Sequence, residues 1–357
     1  MEKSGGGDLA PVGRVVLYQD DSPAITSNFA ARVVPQPWVD SRFLVYSLRS
    51  LYDRGVTLQC IKQTTGIQNL DTGHWLKAKV FAPKIEEQRR IADFLDDRVA
   101  RIDRIVAARR GQIASLQSRV ARRSFETVAG FNERGERRAS GLGWLGSVPA
   151  DWPVLPVSAE FVVELGKMLD EKRQSGEHPV PYLRNANVQW DRVDTSDLKY
   201  MDIGPGEFER FSLWPGDLLV CEGGQPGRSA IWDGSITPLA YQKALHRARS
   251  RGHTRSSWLL ECLRVAVSMN VFAIENGQTT IGHLTNEQLR GQRFPFPDPE
   301  VQDRLLSELA ASRSATLQIA LEIDRSIDLL TEYKSSLVTA AVTGELDVTT
   351  AGSGIPG

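Results

Sequence analysis

The sequence is short of the residues from which cross-links and metal centres are built. Its three cysteines, Cys60, Cys221 and Cys262, are odd in number and far apart, which excludes a disulfide framework and matches no zinc pattern. The five histidines show no metal-ligand pairing, so no metal site is expected. No apolar run approaches the ~18 residues of a membrane span. The opening "MEKSGGGDLAP" lacks the apolar core of a signal peptide, so a cytoplasmic protein with no membrane partner is expected.

Catalytic constellations are missing too. No serine or cysteine nucleophile stands with a base, and there is no Asn-Pro-Pro-aromatic tetrapeptide of the amino-methyltransferase kind. "CEGGQPGR" (Cys221 to Arg228) lacks the Lys-Ser/Thr ending of a phosphate loop. "GLGWLG" (Gly141 to Gly146) fits a dinucleotide fingerprint in letters only, because a charged stretch precedes it and Pro149 and Pro153 prevent the helix that must follow. Pro297-Asp298 followed by Glu332-Tyr333-Lys334 imitates nuclease carboxylates, but one long helix separates them by about 50 Å at 1.5 Å per residue. The expectation is a non-catalytic chain with no catalytic residue and no cofactor of its own.

What the sequence does have is a repeat. "PKIEEQRRIADFLDDRVARIDRI" (Pro83 to Ile105) returns as "PDPEVQDRLLSELAASRSATLQI" (Pro297 to Ile319). Pro83 and Pro297, Gln88 and Gln302, Leu95 and Leu309, and Gly130 and Gly344 all share one offset of 214 residues. Both segments read as long helices with a narrow apolar stripe. In the first the stripe runs through Leu95, Val99, Ile102, Val106, Ile113 and Leu116; in the second, through Leu309, Ile323, Ile327, Leu330 and Leu337. A stripe this narrow over several heptads is a coiled-coil seam. The prolines suit a helix start and the glycines a left-handed end. Net charge is −1, but residues 86–130 carry 10 Lys/Arg against 7 Asp/Glu and residues 300–357 carry 4 against 9. Opposite bias suits two helices packed on each other.

The offset extends upstream. "VGRVVLY" (Val12 to Tyr18) aligns with "PGRSAIW" (Pro226 to Trp232), and, one residue off that interval, "SRFLVYSLRSLYD" (Ser41 to Asp53) with "SSWLLECLRVAV" (Ser256 to Val267), the latter two each reading as a buried helix. The chain is therefore two similar units, not a solenoid. About 85 residues of the second unit, roughly 131–215, have no counterpart in the first. The expected fold is α+β, with tandem mixed α/β domains, the first incomplete, separated by two long helices forming an antiparallel coiled coil. The expected boundaries are a partial domain over 1–82, a helix over 83–130, a complete domain over 131–299, a helix over 300–345 and a flexible tail over 346–357.

Several motifs stand in an order that resembles the specificity subunit of type I restriction–modification enzymes. They are "GWLGSVPADW", "WPGDLLVCEGGQPGR", and "APKIEEQRRIADFLD" with its second version "FPDPEVQDRLLSELA", the helices closing as "ETVAG" and "AAVTGEL". The resemblance covers most of the chain. It implies two target recognition domains, the first N-terminally shortened, each reading half of a split site in double-stranded DNA, with the helices as spacer. It also implies methyltransferase subunits that bring S-adenosylmethionine, and restriction (translocase–nuclease) subunits. A competing expectation is a truncated scaffold that binds partner subunits without reading a full site.

Candidate DNA-contacting residues lie in the complete domain. Gly234 to Leu260 contains no acid but has Lys243, Arg247 and Arg249 among its cations, as phosphate neutralisation requires. "YLRNANV" offers Arg184, Asn185 and Asn187, of types that pair with guanine and adenine. Strand alternation would put both asparagines on one side; alternatively they bond the turn's own backbone. Gln225 and Arg228 on the glycine loop, Tyr241 and Gln242 beside Lys243, and Thr279 and His283 complete the set. Arg14, Asn28, Gln68 and Asn69 are weaker counterparts in the first half.

Overall fold

The computed structural model describes residues 1–7, 10–64, 66–169, 176–275 and 282–350. The chain is an α+β protein, 43% of its described residues helical, and it divides into two compact units: Met1–Ala114 with Ile319–Gly357, and Ser115–Gln318. Among the described residues no helix is long and apolar enough to cross a membrane.

The two long helices are Ile85–Val128 and Pro299–Thr343, and each unit holds a part of both. Within the first unit, Ile91, Ala92, Leu95 and Val99 meet Val338, Ala341, Val342 and Leu337, and Lys334 Nζ reaches Asp103 at 2.7 Å. Within the second, Arg313 donates to Ser124 Oγ at 2.7 Å and Arg123 faces Glu308 at 3.8 Å. In both units the early part of one helix lies on the late part of the other, so the pairing is antiparallel. The seam is less even than its stripe. Leu95, Val99, Ile102, Val106, Leu309, Ile323 and Ile327 are buried, whereas Ile113, Leu116, Leu330 and Leu337 are only half-buried. The middle of the first helix, "AARRGQIASLQSR", has only two large apolar residues, Ile113 and Leu116, about one for every two turns.

Both helix ends depend on glycine. Gly130 and Gly344 have φ of +63° and +81°, and a Cβ on Gly130 would lie 2.7 Å from Pro149. Arg137 caps the first helix by donating to Gly130 O at 2.6 Å and Ala129 O at 2.9 Å, where the last carbonyls lack partners and cations are favoured.

The second unit is built on a four-stranded antiparallel sheet in the order Ser229–Ile231, Leu218–Cys221, Leu245–Ser250, Phe161–Leu165. A three-stranded sheet joins Lys199–Asp202, Pro179–Leu183 and Ala240–Tyr241. The 13-residue helix Ser256–Ser268 packs its apolar face on the core. There Trp258 stands edge-on to Trp152 at 5.9 Å and donates to Pro295 O at 2.8 Å. The "GLGWLG" turn packs Trp144 edge-on against Phe294.

The first unit repeats the helix-side half of this plan. Helix Ser41–Asp53 has the same 13-residue length as Ser256–Ser268. Asp71 and Thr285, again 214 apart, each cap a short helix through a side-chain oxygen. The strand half differs. Ser4–Gly5 corresponds by offset to the start of Leu218–Cys221, but it pairs with Ile67–Leu70 in a sheet completed by Ile61–Thr64. Val15–Leu17, the counterpart of strand Ser229–Ile231, belongs to no strand. Val16, Ile25, Val34, Trp38 and Leu76 are exposed in this unit, Ile25 by 99%.

Candidate nucleic-acid interface

Several strands of the second unit end at one edge, and backbone bonds tie their loops together. Gln242 N donates to Leu183 O at 2.9 Å, joining the loop after Ala240–Tyr241 to that after Pro179–Leu183. Glu222 N donates to Ala244 O at 3.0 Å, and Leu284 N to Glu222 O at 2.7 Å. His246, wholly buried, bonds Leu284 O through Nε2 at 2.7 Å. Burial holds this imidazole below its ordinary pKa, with the Leu284 bond and Glu222 acting the other way.

The glycine loop is braced from beneath. Arg228 Nη2 donates to Asn185 O at 3.0 Å and to Asn185 Oδ1 at 2.8 Å. Asn185 Nδ2 donates in turn to Gly223 O at 2.8 Å. A Cβ on Gly223 would sit 3.2 Å from His283 Nδ1, so glycine there lets the loop carrying His283 lie against it. Gly224 and Gly227 have φ of +73° and +88°, and the turn closes with Arg228 N on Gln225 O at 3.0 Å. Gln225, Lys243 and His283 are exposed on this edge, with Gln242 half-buried beside them. A flexible amide, an ammonium and an imidazole on a rigid loop cluster can pair with base edges and phosphates.

Other candidates are tied to the protein's own groups. Asn185 to Asn187 is a 3₁₀ turn, not a strand, so the expected alternation does not occur. Asn187 is buried; its Oδ1 accepts from Arg184 N at 2.9 Å and its Nδ2 donates to Asp194 O at 2.9 Å. That is the backbone-bonding alternative. Arg184 pairs with Asp197 at 2.7 Å. Tyr241 is fully buried, and burial raises its phenol pKa. Arg247, 3% exposed, pairs with Glu164 and donates to Ser212 O at 2.7 Å. Arg249 pairs with buried Asp217 at 2.6 Å and lies 3.7 Å over the Trp214 ring. The acid-free stretch is therefore not a free basic patch. Leu245–Ser250 is an inner strand, and its arginines meet acids supplied from remote segments, which a local charge count cannot see. Tyr241, Arg247 and Asn187 are core residues. Thr279, like Gln278, lies outside the described residues.

In the first unit Arg14 pairs with Glu2 at 3.0 Å, buried Gln68 accepts from Val12 N at 3.3 Å, and Asn69 accepts from Ser4 Oγ at 2.7 Å. Asn28 is exposed. No cluster of three or more His, Cys, Asp or Glu among the described residues is placed to hold a metal. All three cysteines are free and buried, and burial raises the Cys221 and Cys262 thiol pKa values, which disfavours the nucleophilic thiolate. The sequence reading had missed the Asn185–Arg228–Gly223 brace, for which the double glycine was the available signal.

No family model matches the sequence, and no curated protein matches it. Solved structures do resemble it. One is a chain of a type I R-M system described for its complex assembly and conformational transition. It has a TM-score of 0.67 and 16% identity, over 87% of this chain and 72% of that one. Another is the HsdS subunit from Thermoanaerobacter tengcongensis, with a TM-score of 0.52 and 16% identity, over 87% of this chain and 71% of that one. With its tandem domains and antiparallel long helices, the chain has the fold of the type I restriction–modification specificity subunits.

Proposed function

We propose that the chain is the non-catalytic DNA-recognition subunit of a type I restriction–modification complex, binding a bipartite site and docking methyltransferase and restriction subunits. S-adenosylmethionine belongs to the methyltransferase subunit in this reading. One observation carries it: a recognition-type domain with a braced loop edge precedes one of two long helices that pair antiparallel. Two recognition-type domains in tandem suit the two half-sites of one bipartite DNA site. Because the two domains differ in sequence, the half-sites differ; because the helices separate them, spacer length is constant and spacer sequence is ignored. Gln225 is the base reader nominated at the loop tip, with Lys243 and His283 on phosphates. A net charge of −1 gives little long-range attraction, so binding tightens when the methyltransferase subunit joins.

The exposed apolar side chains of the first unit favour a second reading, a scaffold that assembles partners without reading a full site. Co-expression with the methyltransferase subunit, followed by genome-wide mapping of methylated bases, separates the two. Two unlike half-sites at one spacing are expected. A complex that co-purifies but methylates nothing above background would establish the scaffold.

A further inference from the structure

The residue shared by both proline-led motifs makes the same bonds in both units. Gln88 and Gln302 are each the fourth residue of their helix, and they are 2% and 0% exposed. Gln88 Nε2 donates to Pro83 O at 2.7 Å, and Gln302 Nε2 to Pro297 O at 2.6 Å. Gln88 Oε1 accepts from Asp40 N at 2.9 Å, and Gln302 Oε1 from Arg255 N at 2.9 Å. Asp40 and Arg255 are the N-cap residues of Ser41–Asp53 and Ser256–Ser268. One buried amide in each unit therefore joins the turn that opens the long helix to the start of the helix buried in the adjoining domain. Ion pairs flank the joint: Arg42 with Asp93 and Asp96, both at 2.8 Å, and Arg255 with Asp303 at 2.7 Å.

A primary amide is suited to this place because it offers a donor and an acceptor without charge. A carboxylate would face the proline carbonyl with a lone pair. An apolar side chain would leave a backbone N–H and C=O at the joint without their partner. We infer that Gln88 and Gln302 are positioning residues that hold each recognition domain at one angle to its spacer helix, and so make the complex discriminate spacer length. This rests on the bipartite-site reading above. The lever is sensitive: with a domain radius of about 20 Å, a tilt of about 10° moves the far edge by about 3.5 Å, one base-pair step.

The test uses the chain co-expressed with its methyltransferase subunit, reading the spacer lengths of methylated sites across a genome. Gln302→Met and Gln88→Met keep side-chain length and remove both bonds; Gln302→Glu keeps the acceptor. The parent is expected to methylate at a single spacing. The methionine variants should keep the same half-sites but raise methylation at spacers one base pair longer or shorter about tenfold, with the glutamate variant between. Variants that keep the single spacing at uniformly lower yield would overturn the inference and leave the glutamines a stabilising role only. Should the methionine variants not assemble, Gln302→Asn, whose amide is too short to span both groups, carries the same expectation and the same refutation. A parent that methylates no bipartite site removes the underlying reading, and the inference with it.

Discussion

The two units share a helix-side half and differ in what lies over it. Tyr18 and Trp232 occupy equivalent places in the 214-residue repeat, yet Tyr18 is 58% exposed and Trp232 is 1% exposed. In the second unit Leu218–Cys221 is wholly buried between two neighbouring strands. In the first, the corresponding stretch pairs instead with Ile67–Leu70. The comparison teaches that the buried glutamine, the capped short helix and the 13-residue helix rest on contacts within the repeated part. The strand arrangement differs: in the second unit Phe161–Leu165, from outside the repeated part, pairs with Leu245–Ser250.

The largest effect should come from emptying the equivalent core positions of the two 13-residue helices. Phe43 and Trp258 each stand third in their helix and are buried. Phe43→Ala and Trp258→Ala are each expected to cost about 3–5 kcal/mol in denaturant unfolding, Trp258→Ala more because it also orphans Pro295 O. A cost for Phe43→Ala within about 0.5 kcal/mol, the range of surface substitutions, would break the claimed equivalence.

Amide exchange sharpens the contrast on the strand side. Val15–Leu17 should exchange at least about tenfold faster than Ser229–Ile231, which sits in a sheet ladder. Equal protection would mean that the first unit holds this stretch as firmly without the cover.

The smallest effect is a pH dependence confined to the second unit. His246 is held below its ordinary pKa by burial, and its Nδ1 has no hydrogen-bond partner among the described residues. The unfolded chain therefore takes up the proton first as pH falls through about 6.5. The contribution of neutral His246 is full above that pH and is lost as pH falls toward the lowered folded value. Arg32 stands at the equivalent place and is exposed, so the first unit lacks this loss. Thermal unfolding from pH 7.5 down to pH 5 should show acid-side destabilisation that His246→Gln flattens; an unchanged slope in that variant would assign it to other groups.

Much of the fold was legible because it is periodic or repeated. The stripe through Leu95 and Ile102, the glycines at 130 and 344, and the offset joining Gln88 to Gln302 need only spacing to be seen. The candidate interface was legible in part. Gln225, Lys243 and His283 do lie on one exposed edge. Arg247, Arg249, Tyr241 and Asn187 were misjudged because their partners are remote: Arg249 meets Asp217, 32 residues away, and Arg247 meets Glu164, 83 residues away. Sequence neighbourhood carries no information on pairs at that separation.

The sequence by itself determined two proline-led helices of equal design, a tandem order and the absence of a local metal-ligand pattern, since these follow from residue type and interval. Only the tertiary structure decided which cations are spent in the interior, which asparagine braces a loop and which caps a turn, and which apolar face stays open. Those outcomes depend on what a side chain meets across strands. An arginine aimed at a buried carboxylate and one aimed at a phosphate are written with the same letter.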